Sequence, residues 1–171
     1  MEESVKKPNI TFNDFLDFFP EVELPVAFNE ETLRDFSNTN QPLPALAIEQ
    51  FITPYEDELP DELTEFIACC RIPETHSFQA VVYWKAGLMT YEFTLATYTK
   101  QGILLDKRVI AGTFFDGERL TQSVAIIEDD WEILVMSGQT TADENNKFYD
   151  AQQSRVTKME LLPEGQIIDL E

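Results

Sequence analysis

The stretch YEFTLATY, residues 91–98, alternates apolar and polar side chains along most of its length. Tyr91, Phe93 and Leu95 occupy every second position, which is the period of a β-strand whose side chains point to its two faces in turn. The stretch therefore predicts a half-buried strand, and it makes a β-sheet the organising element of the chain.

Similar period-two segments surround this strand. We predict further strands at residues 78–85, 103–115, 120–128, 131–137 and 154–162, with a short last strand at 166–170. Polar or glycine-containing turns join them, and these connections are too short for the crossovers that parallel strands require. The second half of the chain is therefore predicted to form a six- or seven-stranded antiparallel meander.

The first half of the chain shows short helical patterns separated by prolines. Residues 11–19 place aromatic and leucine side chains on one helical stripe behind Thr11, which suits a capping box. Residues 21–28 alternate but contain a proline, which confines them to a sheet edge or an extended loop. Asn29 is a suitable N-cap for a second helix, and residues 46–52 fit a third.

These patterns predict one α+β domain over residues 1–171. Residues 1–76 are expected to be mainly helical and loop, and residues 77–171 to form the antiparallel sheet, with the short N-terminal helices packed on one face or edge of it. A chain of 171 residues with 43% apolar side chains suits a single domain with its own core.

Both cysteines and the only histidine lie in the stretch ACCRIPETH, residues 68–76. An i, i+3, i+4, i+7 spacing of apolar residues from Leu63 to Cys70 predicts a helix that ends before Pro73. In that helix Cys70 lies on the buried stripe and Cys69 at its flank, so the two thiols diverge.

Neither a metal site nor a catalytic site is predicted from this stretch. Structural zinc needs four convergent ligands, usually in paired C-x₂₋₄-C spacing, and the stretch has three candidates in another arrangement. A cysteine nucleophile needs an electropositive setting, whereas the surrounding sequence is strongly acidic. The sequence also lacks phosphate-loop and dinucleotide motifs, so we predict no catalytic residue, metal or cofactor.

The charge of the chain is its most unusual property. There are 32 acidic and 12 basic residues, a formal net charge of −20. Such a field repels nucleic acid and anionic membranes and speeds encounters with basic proteins. The alternative is that the acidic surface serves solubility alone. A basic protein is the predicted partner.

Cysteine usage and hydropathy bear on the compartment. Two adjacent cysteines do not form a disulfide framework, which favours a reducing compartment. No apolar run suits a signal peptide or a membrane span, so a cytoplasmic protein is expected if Met1 is the native start.

Two acidic clusters are the candidate partner-binding residues. The first is a connection bracketed by prolines, without the spacing of a calcium loop, and its alternative interpretation is a solvated linker. The second is a turn between strands whose tryptophan suits an interface anchor, and its alternative is a plain hairpin tip. The candidates are Glu56, Asp57, Glu58, Asp61 and Glu62 in the first cluster, and Glu128, Asp129, Asp130, Trp131 and Glu132 in the second.

A short internal similarity links two turns. YTKQGILLD at residues 98–106 and LLPEGQIID at residues 161–169 share a glycine and an aspartate at the same spacing. We interpret this as shared hairpin chemistry, in which glycine supplies a positive φ in each turn.

The segments FPEVELP (residues 19–25), TYTKQGILLD (residues 97–106) and IAG (residues 110–112) resemble a group of small, functionally uncharacterised bacterial proteins. The resemblance implies no catalytic residues.

The sequence therefore favours a non-enzymatic, acidic binding module that recognises a basic protein, for example an immunity or inhibitor protein. One alternative is a small-molecule-binding or enzymatic domain with a pocket between helices and sheet. Another is an exported bacterial surface protein whose signal is absent from this sequence.

Overall fold

An antiparallel sheet dominates the computed structural model, which describes residues 9–88, 90–141 and 154–170. The predicted α+β class is confirmed, and the described residues form nine strands where six or seven were predicted. The helical elements are α1 (Phe12–Asp17), α2 (Glu30–Thr39), α3 (Ala45–Phe51) and a 3₁₀ turn (Thr53–Tyr55). The strands are β1 (Val26–Phe28), β2 (Glu65–Arg71), β3 (Gln79–Gly87), β4 (Thr90–Tyr98), β5 (Leu104–Phe115), β6 (Arg119–Ile127), β7 (Glu132–Thr141), β8 (Arg155–Leu161) and β9 (Ile167–Leu170).

Strands β2 to β9 pair in chain order, as predicted for a meander. The exception is β1, which pairs with the end of β6 and places Val26 opposite Ile127. Strand β5 belongs to both halves of the sheet, because nearly its whole length pairs with β4 whereas only residues 112–115 pair with β6. The sheet folds over at this point, so that β6–β9 pack across the face of β2–β5 around a shared core.

The N-terminal helices begin where the capping patterns predict. The Thr11 hydroxyl accepts a hydrogen bond from the backbone N–H of Asp14 at 3.0 Å, and the Asp14 carboxylate accepts one from the backbone N–H of Thr11 at 3.2 Å. Asn29 forms the same reciprocal arrangement with Thr32 at the start of α2. Each box supplies partners for backbone donors that a helix leaves unpaired in its first turn.

Two apolar clusters lie on opposite faces of β2–β4. One packs beneath α1 and α3 and is rich in aromatic rings; Phe15 lies 4.9 Å from Phe51 between ring centroids. The Tyr98 hydroxyl in this cluster donates a 2.6 Å hydrogen bond to the Phe51 carbonyl. The other cluster lies between the two halves of the folded sheet and is closed at one side by β1 and by apolar residues of α2. Strands β3 and β4 are consequently buried on both faces.

The helix predicted to end before Pro73 is wrong: these residues form β2, at one edge of the sheet. Phe66 and Ala68 face the helices, while Cys69 and Cys70 both enter the core between the sheet halves. A β-bulge causes this, because Ala68 pairs with Tyr83 and Cys70 with the next residue along, Val82, leaving Cys69 without a partner in the register. A short apolar run buried on both faces does not alternate, so its periodicity does not distinguish a strand from a helix.

The two similar turns lie next to one another in the structure. Gly102 and Gly165 both have positive φ, 92° and 99°, as the predicted hairpin chemistry requires. The Thr97 hydroxyl donates a 2.6 Å hydrogen bond to the Gly165 carbonyl, and Arg108 reaches Asp169 at 2.7 Å. Side chains of β4 and β5 thereby join the β4–β5 hairpin to the β8–β9 hairpin at the end of the meander.

Candidate functional site

The second acidic cluster is a tight turn between β6 and β7. The backbone N–H of Glu128 donates to the Glu132 carbonyl at 2.8 Å, and the Asp130 carboxylate accepts from the backbone N–H of Glu132 at 3.0 Å. Trp131 has a φ of 69°, in the left-handed region that large side chains seldom adopt. The turn therefore exposes Asp129 and Asp130 and directs Trp131 back toward the protein.

Trp131 is a fixed, half-buried residue and does not project into solvent. Its ring packs edge-on against Phe78, with 5.8 Å between the ring centroids. Its carbonyl accepts a 3.0 Å hydrogen bond from the backbone N–H of Leu161. Because both its side chain and its backbone are held, Trp131 presents a rigid apolar wall.

A groove of about 540 Å³ lies along this wall. Its floor combines Trp131 with apolar side chains of the segment at residues 20–25 and with Pro73. Its acidic side chains come from three separate parts of the chain. The lining residues are Glu21, Val22, Glu23, Leu24, Pro73, Glu74, Asp129 and Trp131, which we call the Trp131 groove.

Backbone hydrogen bonds hold the segment at residues 20–25 beside the end of β2. The backbone N–H of Arg71 donates to the Pro20 carbonyl at 2.8 Å, and the backbone N–H of Val22 donates to the Arg71 carbonyl at 3.3 Å. Val22 and Leu24 pack toward the core, so the alternating Glu21 and Glu23 are exposed. Sequence reasoning did not place these glutamates or Glu74 at the site, although the alternation of this segment indicated which side would face solvent.

The first acidic cluster borders a different cleft, of about 520 Å³, on the helix side of the sheet. Beyond the end of the helices, the loop at residues 56–64 stands beside the exposed face of β3, β4 and β5. The floor includes Lys85, Glu92, Lys107 and Val109, and the loop supplies most of the acidic rim. We call this the lysine cleft.

Glu56 is turned into this cleft and is not a surface carboxylate. Its side chain is 8% exposed and lies 3.1 Å from the Lys85 ammonium and 3.7 Å from that of Lys107. Lys107 also donates to the Tyr55 carbonyl at 2.8 Å. Glu56 therefore holds the start of the loop on the sheet. The exposed residues of this cluster are the better candidates for binding a partner.

Those exposed members are Asp57, Glu58, Asp61 and Glu62. The Asp61 carboxylate also organises the loop, because it accepts hydrogen bonds from the backbone N–H of Leu63 at 2.9 Å and from the Thr64 hydroxyl at 3.0 Å. The loop thus has a defined shape, and its remaining carboxylates face solvent.

Glu92 carries the other carboxylate on the floor of the lysine cleft. Burial raises the pKa of Glu92 above its usual value, and Glu56 adds to the effect, whereas Lys85 and Lys107 oppose it. Glu92 is also the direct cross-strand partner of Lys85. The floor is therefore a compact group of two acids and two bases.

The two predicted acidic clusters lie far apart. Trp131 packs on Phe78 just before β3 begins, whereas Lys85 lies near the end of that strand. At about 3.3 Å per residue, β3 separates the two positions by about 23 Å. The structure thus presents two surfaces instead of one continuous acidic site.

Both thiols are fully buried, and burial raises the pKa of each. His76 lies in an exposed turn. A buried thiol with a raised pKa is a poor nucleophile, so the arrangement suits a structural role in the core. Within residues 9–88, 90–141 and 154–170, no three histidine, cysteine or acidic side chains are grouped to hold a metal ion.

Comparisons with known proteins add no relative. No family model matches this chain, and no characterised protein or solved structure matches it either. The resemblance to a bacterial group therefore stays a prediction. Across the described part of the chain, no helix combines the length and the apolar character needed to cross a membrane.

Proposed function

We propose that this chain is a non-enzymatic, acidic binding module that recognises a basic protein, and that the Trp131 groove receives an arginine or lysine side chain of that partner. The observation that carries the proposal is the convergence of Glu21, Glu23, Glu74 and Asp129 around one rigid tryptophan. An immunity or inhibitor protein that covers a cationic surface is one form of this function.

The chemistry of the groove supports a cationic side chain. The face of a tryptophan ring attracts a cation, and guanidinium groups stack on such faces while donating to carboxylates. The apolar floor receives the aliphatic stem of arginine or lysine, and the net charge of −20 raises the encounter rate with basic partners. The proposal places this encounter in the cytoplasm, which the two unpaired thiols support.

The test measures binding of a fluorescein-labelled peptide that contains two arginines among glycine and serine residues. In the control peptide, neutral citrulline replaces both arginines. Glu23→Gln with Glu74→Gln should raise the Kd of the arginine peptide about fivefold or more, since each partly buried charge pair contributes on the order of 1 kcal/mol. Glu49→Gln with Glu164→Gln removes the same charge from exposed positions elsewhere and should change the Kd by less than about twofold.

Equal effects of the two double variants would show that only the overall charge attracts the peptide. Equal binding of the citrulline peptide would show that no cationic side chain is recognised. Either result would rule out the Trp131 groove as the binding site.

A further inference from the structure

The three most exposed large apolar side chains of the described residues are leucines at one end of the sheet. Leu59 is 86% exposed, Leu88 81% and Leu63 77%. Leu59 and Leu88 both line the lysine cleft, although Leu59 lies on the loop and Leu88 directly follows β3. Leu63 precedes β2 at the same end of the sheet, where Glu65 pairs with Ala86. Clustered apolar exposure of this kind marks interaction surfaces on folded proteins.

The lysine cleft, which Leu59 and Leu88 line, is concave and partly apolar. Its volume of about 520 Å³ accommodates side chains of a partner, and Val109 and Pro60 add apolar surface beside Leu59 and Leu88. We call Leu59, Leu63 and Leu88, together with the cleft that Leu59 and Leu88 line, the leucine surface.

The charge of the leucine surface comes from its rim. On the floor, the two lysines and the two glutamates cancel formally, and Glu56 already engages both ammonium groups. On the loop, the exposed carboxylates of Asp57, Glu58 and Asp61 line the cleft, and Glu62 follows Asp61 in the chain. None of the four forms a salt bridge within the described residues. An occupant therefore meets exposed leucines beside a formally neutral floor, with acidic side chains on the loop.

We propose that the leucine surface binds an amphipathic, basic helix of a partner protein. The apolar face of such a helix packs on the exposed leucines, and its flanking lysine or arginine side chains meet the carboxylates of the loop. Burying the leucines supplies the affinity, and the charges orient the helix and accelerate its approach.

The same charges disfavour the other occupants of an apolar surface. A symmetric dimer places identical patches against each other, which brings the rim carboxylates of both copies together. An anionic membrane meets the same repulsion, on a protein whose net charge is −20. The basic amphipathic helix is the occupant whose apolar and charged parts both match.

This inference does not depend on the Trp131 groove, which lies near the other end of β3. The groove offers one rigid aromatic wall for a cationic side chain, whereas the leucine surface offers several exposed apolar side chains. Glu23→Gln with Glu74→Gln should therefore leave binding at the leucine surface within about twofold of the parent.

The experiment titrates the full chain into a labelled 15-residue leucine–lysine helical peptide and measures anisotropy. A second peptide carries alanine at every leucine, so that charge and helicity are kept. Leu59→Gln with Leu88→Gln tests the surface. Ile103→Gln with Val156→Gln is the matched control, because those side chains are 62% and 65% exposed and line no part of the cleft.

We expect the leucine–lysine peptide to bind at least about tenfold more tightly than the alanine–lysine peptide. We also expect the Leu59/Leu88 variant to lose that preference and the control variant to keep it. Equal binding of both peptides, or equal losses in both variants, would overturn the proposal. So would leucine-dependent dimerisation in sedimentation, or leucine-dependent binding to phosphatidylglycerol vesicles, without peptide binding.

Discussion

The carboxylate of Asp106 on β5 accepts a 2.8 Å hydrogen bond from the backbone N–H of Ile167 on β9. The same carboxylate accepts another hydrogen bond from the backbone N–H of Lys107, also at 2.8 Å. These two strands do not pair in the sheet, so side chains make the connection that a strand ladder makes elsewhere. Arg108 extends it by donating to the Ile167 carbonyl at 3.4 Å.

Replacing Asp106 should therefore weaken the join between β5 and β9. We expect Asp106→Ala to lower the free energy of unfolding by about 1–2 kcal/mol, because the backbone N–H of Ile167 then loses its hydrogen-bond acceptor in a site shielded from water. Urea unfolding followed by circular dichroism measures the change. Asp169→Ala is the control, because its side chain is 74% exposed and a surface ion pair contributes less than about 1 kcal/mol. Equal losses in the two variants would contradict this role of Asp106.

Glu56 should contribute to stability and not to partner binding. Glu56→Gln leaves Lys85 and Lys107 without their shared carboxylate, and we expect a loss of about 1–2 kcal/mol in the free energy of unfolding. Glu58→Gln, on the exposed part of the same loop, should change it by less than about 0.5 kcal/mol. Chemical denaturation compares the two, and a Glu56→Gln protein as stable as the parent would show that the lysine contacts are dispensable.

Glu92 should oppose folding at neutral pH. Burial raises its pKa in the folded state, so the folded chain binds this proton more tightly than the unfolded chain. Stability then falls as the pH rises from the unfolded pKa of about 4.3 through the folded pKa. Glu92→Gln should therefore be more stable than the parent at pH 7, and the difference should vanish below about pH 4.

Denaturant midpoints at the two pH values measure the Glu92 effect, with the exposed Glu62→Gln as control. A Glu92→Gln protein that is less stable than the parent at pH 7 would show that attraction to Lys85 and Lys107 outweighs the burial of this carboxylate.

The two thiols should be protected in the folded chain. Cys69 and Cys70 have no exposed surface, and burial raises the pKa of both. We expect both to react with dithionitrobenzoate at the rate of unfolding, and a stopped-flow comparison in native buffer and in urea measures this. Cys70→Ser should also cost about 1–3 kcal/mol, because it buries a hydroxyl in the core. Rapid reaction in native buffer would contradict the burial.

Much of the sheet was predictable, because its strands alternate. YEFTLATY became β4, and the five other strands from β5 onward lie within a few residues of their predicted positions. Alternation identified β4 because Glu92 and Thr94 interrupt its apolar side chains, although the strand is buried on both faces and not half-buried as predicted. It failed at β2, where helices cover one face and the folded sheet covers the other, so both faces carry apolar side chains.

The candidate sites were also only partly predictable from the sequence. The sequence indicated Trp131 and its acidic turn, but Glu21, Glu23 and Glu74 joined them only through the contacts of residues 20–22 with Arg71. It also grouped Glu56 with its acidic neighbours, although Glu56 turns inward to lysines that lie 29 and 51 positions later in the chain. Spacing along a chain does not reveal such contacts, because they depend on which strands become neighbours.

The sequence by itself determined the local structure: the capping boxes at Thr11 and Asn29, the glycine turns and the alternating strands, since each depends on residues a few positions apart. Only the tertiary structure decided the fold of the sheet at β5, the conformation of β2 and the composition of both surfaces. Those features depend on the burial of apolar faces from distant segments against each other, which is a property of the whole packed chain.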